Sequence, residues 1–225
     1  MNEGAYVRIL KQVGGVLLVV GLIDIGVMIY CAVNHISYSS SFNVFAVIAG
    51  IFLLRGSLGA ASVVRWFAVF LLAATISVAV AWPLVQPVDL TRTQFRLNPD
   101  AFTATVALMA FLFAMLLWVI RQLSSEPVLA AQAAGGRKVR DMRIPAILGI
   151  GLVVLLFTLL NMLMGGQTGE HAKAMARQQL GAGFHYHVSS LNINTGGGLT
   201  SVDGMVTAWN EKEIRQVRVQ WQERH

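Results

Sequence analysis

The stretch 13-VGGVLLVVGLIDIGVMIYCAV-33 decides the fold of this chain. Its one charged side chain is Asp24, and a helix of about 20 apolar residues crosses a hydrocarbon core of about 30 Å. Four further stretches of similar composition follow. The sequence therefore predicts five transmembrane helices, at about 13–33, 40–58, 66–85, 101–120 and 144–164.

The composition of the whole chain agrees with this interpretation. Of the 225 residues, 56% are hydrophobic and only 12% are charged, against about 25% charged residues in soluble domains. The mean hydropathy is +0.63. This composition excludes a disordered chain, and it leaves too little polar surface for a simple soluble domain. We expect a mostly α-helical, multi-pass membrane protein.

Basic residues in short loops predict the orientation. With the N-terminus in the cytoplasm, the cytoplasmic segments carry nine basic side chains and the outer loops carry two, Arg92 and Arg96. Five crossings then place the C-terminal part outside, in a bacterial periplasm or an equivalent compartment. We expect an inner-membrane protein. The nine residues are Arg8, Lys11, Arg55, Arg65, Arg121, Arg137, Lys138, Arg140 and Arg143.

The predicted domain organisation has four parts. Residues 1–122 form a four-helix transmembrane unit, 123–143 a basic cytoplasmic linker, 144–165 the fifth helix and 166–225 a small outer module. The net charge is +6, but the excess flanks the hydrophobic segments and forms no patch on the module. We therefore expect the lipid bilayer, and no nucleic acid, as the partner of these charges.

The outer module is predicted to be a helix followed by a three-stranded antiparallel meander. The helix covers 170–180, with Thr168 as its N-cap and Gly181 after its end. Alternating apolar residues predict three strands, and a change of phase at Ser189-Ser190 predicts a β-bulge in the first. Turns are expected at Gly196-Gly197-Gly198 and at 210–213.

Asp24 is the first candidate functional residue. A carboxylate near the middle of a membrane span costs at least about 2.5–3.5 kcal/mol, so Asp24 should face other helices. Gly14 and Gly21 share its helical face and would allow a neighbouring helix to approach. Asp24 is either a proton or cation site or a structural polar contact. Arg55 is its candidate partner, because a hairpin between the first two spans sets the two residues roughly 3–9 Å apart along the axis.

His185 and His187 lie on one face of the first predicted strand, and a His-x-His pair can bind zinc or copper. His171 and His225 are the further histidines available to such a site. The alternative is simple exposure on the face opposite Phe184. We expect no cofactor and treat the pair as a weak metal candidate.

The functional prediction is a non-enzymatic scaffold, assembly factor or accessory subunit whose outer module binds a protein partner or a second copy of the chain. Its expected contact surface is the third strand, with Arg215, Gln216, Arg218 and Gln220. The alternative is a small transporter or channel built on Asp24. No zinc-protease, serine-hydrolase or nucleotide-binding motif is present, so an enzyme is not expected.

Overall fold

The computed structural model of the chain describes residues 3–35, 42–136, 140–196 and 199–224. Within them lie eight helices and three strands. The helices are α1 (Glu3–Val33), α2 (Phe42–Leu54), α3 (Leu58–Val85), α4 (Val88–Leu97), α5 (Pro99–Leu123), α6 (Glu126–Ala134), α7 (Arg143–Gly165) and α8 (Gln167–Leu180). The strands are β1 (His185–Gly196), β2 (Leu199–Trp209) and β3 (Ile214–Arg224). Outside the described residues lie 40 and 41 of the second predicted span, the basic pair Arg137-Lys138, Gly197-Gly198 of the predicted turn, and His225.

Four of the described helices are long and apolar enough to cross a membrane: α1, α3, α5 and α7. Many of their large apolar side chains are exposed. Val80 and Leu84 in α3, for example, are 75% and 76% exposed. Apolar side chains exposed along whole helices are compatible with lipid as the surrounding medium.

The second predicted span is shorter than the sequence suggests. Helix α2 has 13 residues, or about 20 Å at 1.5 Å per residue, which is less than a hydrocarbon core of about 30 Å. Its described C-terminal end precedes a left-handed Gly56, after which α3 begins at Leu58. A fifth helical span over 40–58 is therefore not confirmed.

Helices α1 and α2 form an antiparallel pair held by two glycines. A Cβ atom on Gly14 would lie 2.8 Å from the Gly50 carbonyl oxygen and 2.9 Å from the Leu54 nitrogen. A Cβ on Gly50 would lie 2.8 Å from the Gly14 carbonyl oxygen and 2.9 Å from the Leu18 nitrogen. Only glycine at both positions lets the two backbones approach this closely, so the pair fixes the register of the hairpin.

Two compact units are defined by contacts within the chain. The first comprises Met1–Ala74 and Leu112–Gly149, and the second comprises Thr75–Phe111 and Ile150–His225. The core of the first unit is built from α1, α2, α3, α5 and α6, and its fully buried side chains include Leu10, Leu53, Leu123 and Val128. Helix α7 joins this unit at Gly149, where an added Cβ would lie 2.5 Å from the Phe70 carbonyl oxygen.

Two short helices stand where the sequence predicted loops. Helix α4 connects α3 to α5, and its Leu90 and Thr93 are buried. Helix α6 occupies part of the predicted linker, where Val128 and Gln132 are buried and the Gln132 amide donates a 3.5 Å hydrogen bond to the Leu58 carbonyl. The linker is therefore partly folded into the core of the first unit.

The outer module has the predicted helix and three-stranded antiparallel sheet, in the order β1-β2-β3. The register shifts between Val188 and Ser190, which confirms the bulge. Helix α8 packs on one face of the sheet through Ala172 and Ala176. The predicted N-cap is wrong, because α7 continues to Gly165 and α8 starts at Gln167 with Gly166 as its N-cap.

The glycine contact gives the first testable prediction. Gly14→Ala should lower the thermal unfolding midpoint of the detergent-solubilised protein, because the new methyl group meets backbone atoms of α2 that can move only with the helix. Overpacking of this kind costs about 1–3 kcal/mol. The control is Gly15→Ala, whose Cβ has no atom within 4 Å and should leave the midpoint unchanged or slightly higher. Equal midpoints for the two variants would contradict the α1–α2 contact.

Candidate functional site

The second unit contains a cleft between α4 and the end of the sheet. Its volume is about 560 Å³. Helix α4 supplies one wall with Asp89, Arg92, Thr93 and Arg96, and the start of β1 and the β2–β3 turn supply the other with Gly183, His185, Trp209, Asn210 and Glu211. Asp89, Arg92 and Arg96 share one face of α4 because they lie three, four and seven residues apart. The cleft therefore combines two guanidinium groups with two carboxylates.

Hydrogen bonds and a contact between two rings shape this cleft. The Arg96 guanidinium donates a hydrogen bond to the Glu211 carbonyl, which ties α4 to the β2–β3 turn. Asn210 closes that turn by accepting hydrogen bonds from the Lys212 and Glu213 amides at 2.8 and 3.0 Å. Trp209 is only 5% exposed, and its ring lies 5.5 Å from the His185 ring. The back wall of the cleft is thus aromatic and its rim is charged.

A second, smaller cleft of about 340 Å³ adjoins the first and shares His185 and Trp209 with it. Helix α8 contributes Glu170, Lys173 and Arg177 to its lining. Lys173 pairs with Glu170 at 2.8 Å, which lowers the pKa of that carboxyl. The Arg177 guanidinium lies 5.8 Å from the centre of the Tyr186 ring, a distance typical of a cation–π contact.

The two histidines singled out in the sequence share a face of β1, as predicted, since they pair with Trp209 and Thr207 of β2. His185 is exposed and lines both clefts. His187 is half-buried, and its pKa is lowered by desolvation and, to a smaller extent, by the charge of Lys173. Within the described residues no group of three or more histidine, cysteine and carboxylate side chains could hold a metal ion.

The predicted contact surface on β3 is divided between two faces of the sheet. Gln216, Arg218 and Gln220 pair with Thr207, Met205 and Asp203 and lie on the face away from α8. Arg215 lies on the α8 face, because strand residues alternate. There it ion-pairs with Glu213 at 2.9 Å and lies 5.8 Å from the Phe184 ring. Arg215 therefore does not share a face with the other three, and the contact surface on β3 stays a prediction.

Asp24 and Arg55 are not brought together in the first unit. Asp24 is half-buried and lies on the same stripe of α1 as the buried residues Leu17 and Gly21. The glycine contact sets Leu18 opposite Gly50, so Asp24 lies opposite about residue 44. Arg55, exposed beyond the end of α2, is then about 16 Å away along the axis. The two residues are apart because α1 and α2 pair in a register different from the one expected from the sequence. Transport through Asp24 stays a prediction.

Arg65 is the residue whose placement the sequence did not predict. It was assigned to the cytoplasmic turn before α3, but α3 begins at Leu58 and Arg65 is 9% exposed on its inner face. Its Nε atom is buried without a hydrogen-bond partner. The spacing of Ala61, Val64 and Ala68 around it is the signal that could have placed it on a buried helical face.

The chain was compared with known protein families, curated proteins and solved structures. Neither the known protein families, nor the curated proteins, nor the solved structures contain a match to this chain.

The buried guanidinium leads to a second prediction. Arg65→Met should raise the thermal unfolding midpoint in detergent, because methionine fills similar space without burying an unpaired polar atom, which costs about 1–3 kcal/mol. Each kcal/mol corresponds to roughly 2–4 °C. The matched control is Arg55→Met at an exposed position, with an expected shift of at most about 2 °C. A midpoint lowered by Arg65→Met would mean that the guanidinium stabilises the fold through a partner.

Proposed function

We propose that the chain crosses the membrane five times and carries its C-terminal module on the outer side of an inner membrane. Helix α2 is short, but its C-terminal end packs beside Gly14 of α1, at the start of the span predicted over 13–33. The end of α2 therefore lies at the same depth as the start of the first proposed span. The chain has crossed the membrane twice at this point. Adding α3, α5 and α7 gives an odd number of crossings. The excess of basic residues on the N-terminal side supports the orientation.

The proposed role of the outer module is to bind a protein partner without catalysing a reaction. The observation that carries this proposal is that α8 covers only one face of the sheet. We call the opposite face, with Asp203, Gln216, Arg218 and Gln220, the open face. Gln216, Arg218 and Gln220 are exposed on it, whereas Thr207 and Trp209, toward the end of β2, are buried. A sheet with one face in the core and one polar face available to other molecules is typical of antiparallel sheets.

An ion pair joins two side chains of the open face. The Arg218 guanidinium donates to both carboxylate oxygens of Asp203, at 3.0 Å from Nε and 2.5 Å from the terminal nitrogen. Hydrogen bonds from Arg218 and then Gln220 lower the pKa of Asp203, and Asp203 in turn raises the pKa of Arg218. A fixed arginine loses little side-chain entropy on binding, and arginine is enriched where interfaces gain most of their energy.

The small size of the module also supports the proposal that it binds a partner. The residues from α8 to the end of β3 number under 60, and a domain of about 60 residues buries only about 60% of its unfolded surface. Contacts across the open face would supply further burial. The partner is a protein of the outer compartment or a second copy of this chain.

The proposal is tested by photo-crosslinking in native membranes. A benzophenone amino acid at Gln216 or Gln220 should give one discrete adduct, of the same mass at both positions, because both side chains lie on the open face. Arg218→Glu should reduce that adduct, since it reverses the charge at the centre of the face. Twice the monomer mass would identify a second copy of the chain as the partner.

The control position is Gln178, which is exposed on α8 and lies on the other side of the sheet. The open-face proposal predicts no such adduct from Gln178. Equal adducts from all three positions, or none from Gln216 and Gln220, would refute it.

A further inference from the structure

The cleft between α4 and the sheet lies next to two helices that can span a membrane. Helix α3 ends at Val85 and α5 begins at Pro99, and α4 fills most of the interval between them. A ten-residue helix that joins the same-side ends of two spans lies at the level of the lipid headgroups. Exposed apolar side chains on α4 agree with this position, since Val88 and Phe95 are 51% and 52% exposed, and Phe95 contacts Phe102 in the second turn of α5. An amphipathic helix in this setting is typical of the membrane interface.

The charged residues of the cleft indicate which chemical groups a ligand would carry. Arg96 already donates to the Glu211 carbonyl. Arg92 lies one turn away on the same face of α4, is exposed and also lines the cleft. Guanidinium groups bind phosphate through paired, charge-assisted hydrogen bonds. The acidic residues Asp89 and Glu211 line the same cleft. Their negative charges disfavour a purely anionic ligand and favour a ligand with an ammonium group.

The size and wall of the cleft fit a small headgroup. A volume of about 560 Å³ falls within the roughly 300–1,000 Å³ of small-molecule sites. Trp209 forms an ordered, largely buried wall beside His185, against which an uncharged part of a ligand can pack. Arg92 for the phosphate, and Asp89 with Glu211 for the amine, give a complementary charge pattern, with Arg92 and Asp89 on α4 and Glu211 on the β2–β3 turn.

We propose that this cleft binds a phosphodiester that carries a primary ammonium group, the headgroup of a zwitterionic phospholipid such as phosphatidylethanolamine. The cleft lies at the Trp209 end of the open face of the sheet, and Gln216, Arg218 and Gln220 do not line it. Lipid binding in the cleft does not require the protein partner proposed above.

The test is native mass spectrometry of the full-length protein. The detergent-solubilised protein is incubated with equimolar phosphatidylethanolamine and phosphatidylglycerol, and the detergent is then removed in the spectrometer. The expected result is one phosphatidylethanolamine retained in preference to phosphatidylglycerol. Arg92→Gln should lower the retention of both lipids about tenfold, the loss expected for one charge-assisted hydrogen-bonded contact. Asp89→Asn should shift the preference toward phosphatidylglycerol, because it removes a partner of the ammonium group and a repulsion of the anionic lipid.

The matched control is Arg215→Gln, an exposed arginine of the same module that does not line the cleft, and it should retain lipid as the unmodified protein does. Unchanged thermal midpoints will show that the variants are folded. Soluble competitors distinguish binding of a lipid headgroup from binding of a free phosphate compound. Phosphoethanolamine and inorganic phosphate are each added to the lipid-bound protein. Displacement of the lipid by inorganic phosphate alone, equal retention of the two lipids, or no effect of Arg92→Gln would each overturn the proposal.

Discussion

The backbone contact between α1 and α2 at Gly14 and Gly50 is the constraint on which the rest of the structure depends. The two glycines remove the side chains that would keep the helices apart, and the resulting contact sets the register of the hairpin. That register places the C-terminal end of the 13-residue helix α2 beside Gly14 of α1. It also decides that Asp24 and Arg55 stand at different levels. The proposed number of crossings, and with it the side of the membrane on which the module lies, follows from this one contact.

The few charges of the chain occupy two different environments. In the first unit, Arg65 is buried among apolar side chains and its Nε atom has no hydrogen-bond partner, so this charge lowers stability. In the second unit the charges are exposed or half-buried, and some are paired, as in Arg218 with Asp203 and Lys173 with Glu170. Such pairs add little to stability, but they hold side chains in fixed positions. The chemistry available for binding is therefore concentrated in the second unit, on the open face and in the cleft beside α4.

Much of the fold could be predicted from periodicity, because four apolar segments and the alternation of β1 and β3 are strong local signals. The bulge at Ser189 was visible as a change of phase for the same reason. Three features were not predictable in this way. The position of Arg55 relative to Asp24 depends on a contact between distant glycines. Arg65 carries a charge that suggested a loop, although its neighbours follow a helical pattern. Helix α4 is polar enough to be taken for a loop between two spans. Its cleft forms only when the sheet supplies His185 and Trp209, which lie about 90 to 120 residues further along the chain.

The most direct test of the central claim is the side of the membrane on which the two ends of the chain lie. In a Cys31→Ser background, single cysteines at Gly4→Cys and Glu211→Cys would be exposed in turn to a membrane-impermeant maleimide. Both positions are exposed. The α1–α2 hairpin predicts that residue 211 is labelled in intact cells and that residue 4 is labelled only after the membrane is opened. Labelling of both residues from the same side would mean an even number of crossings and would contradict the account.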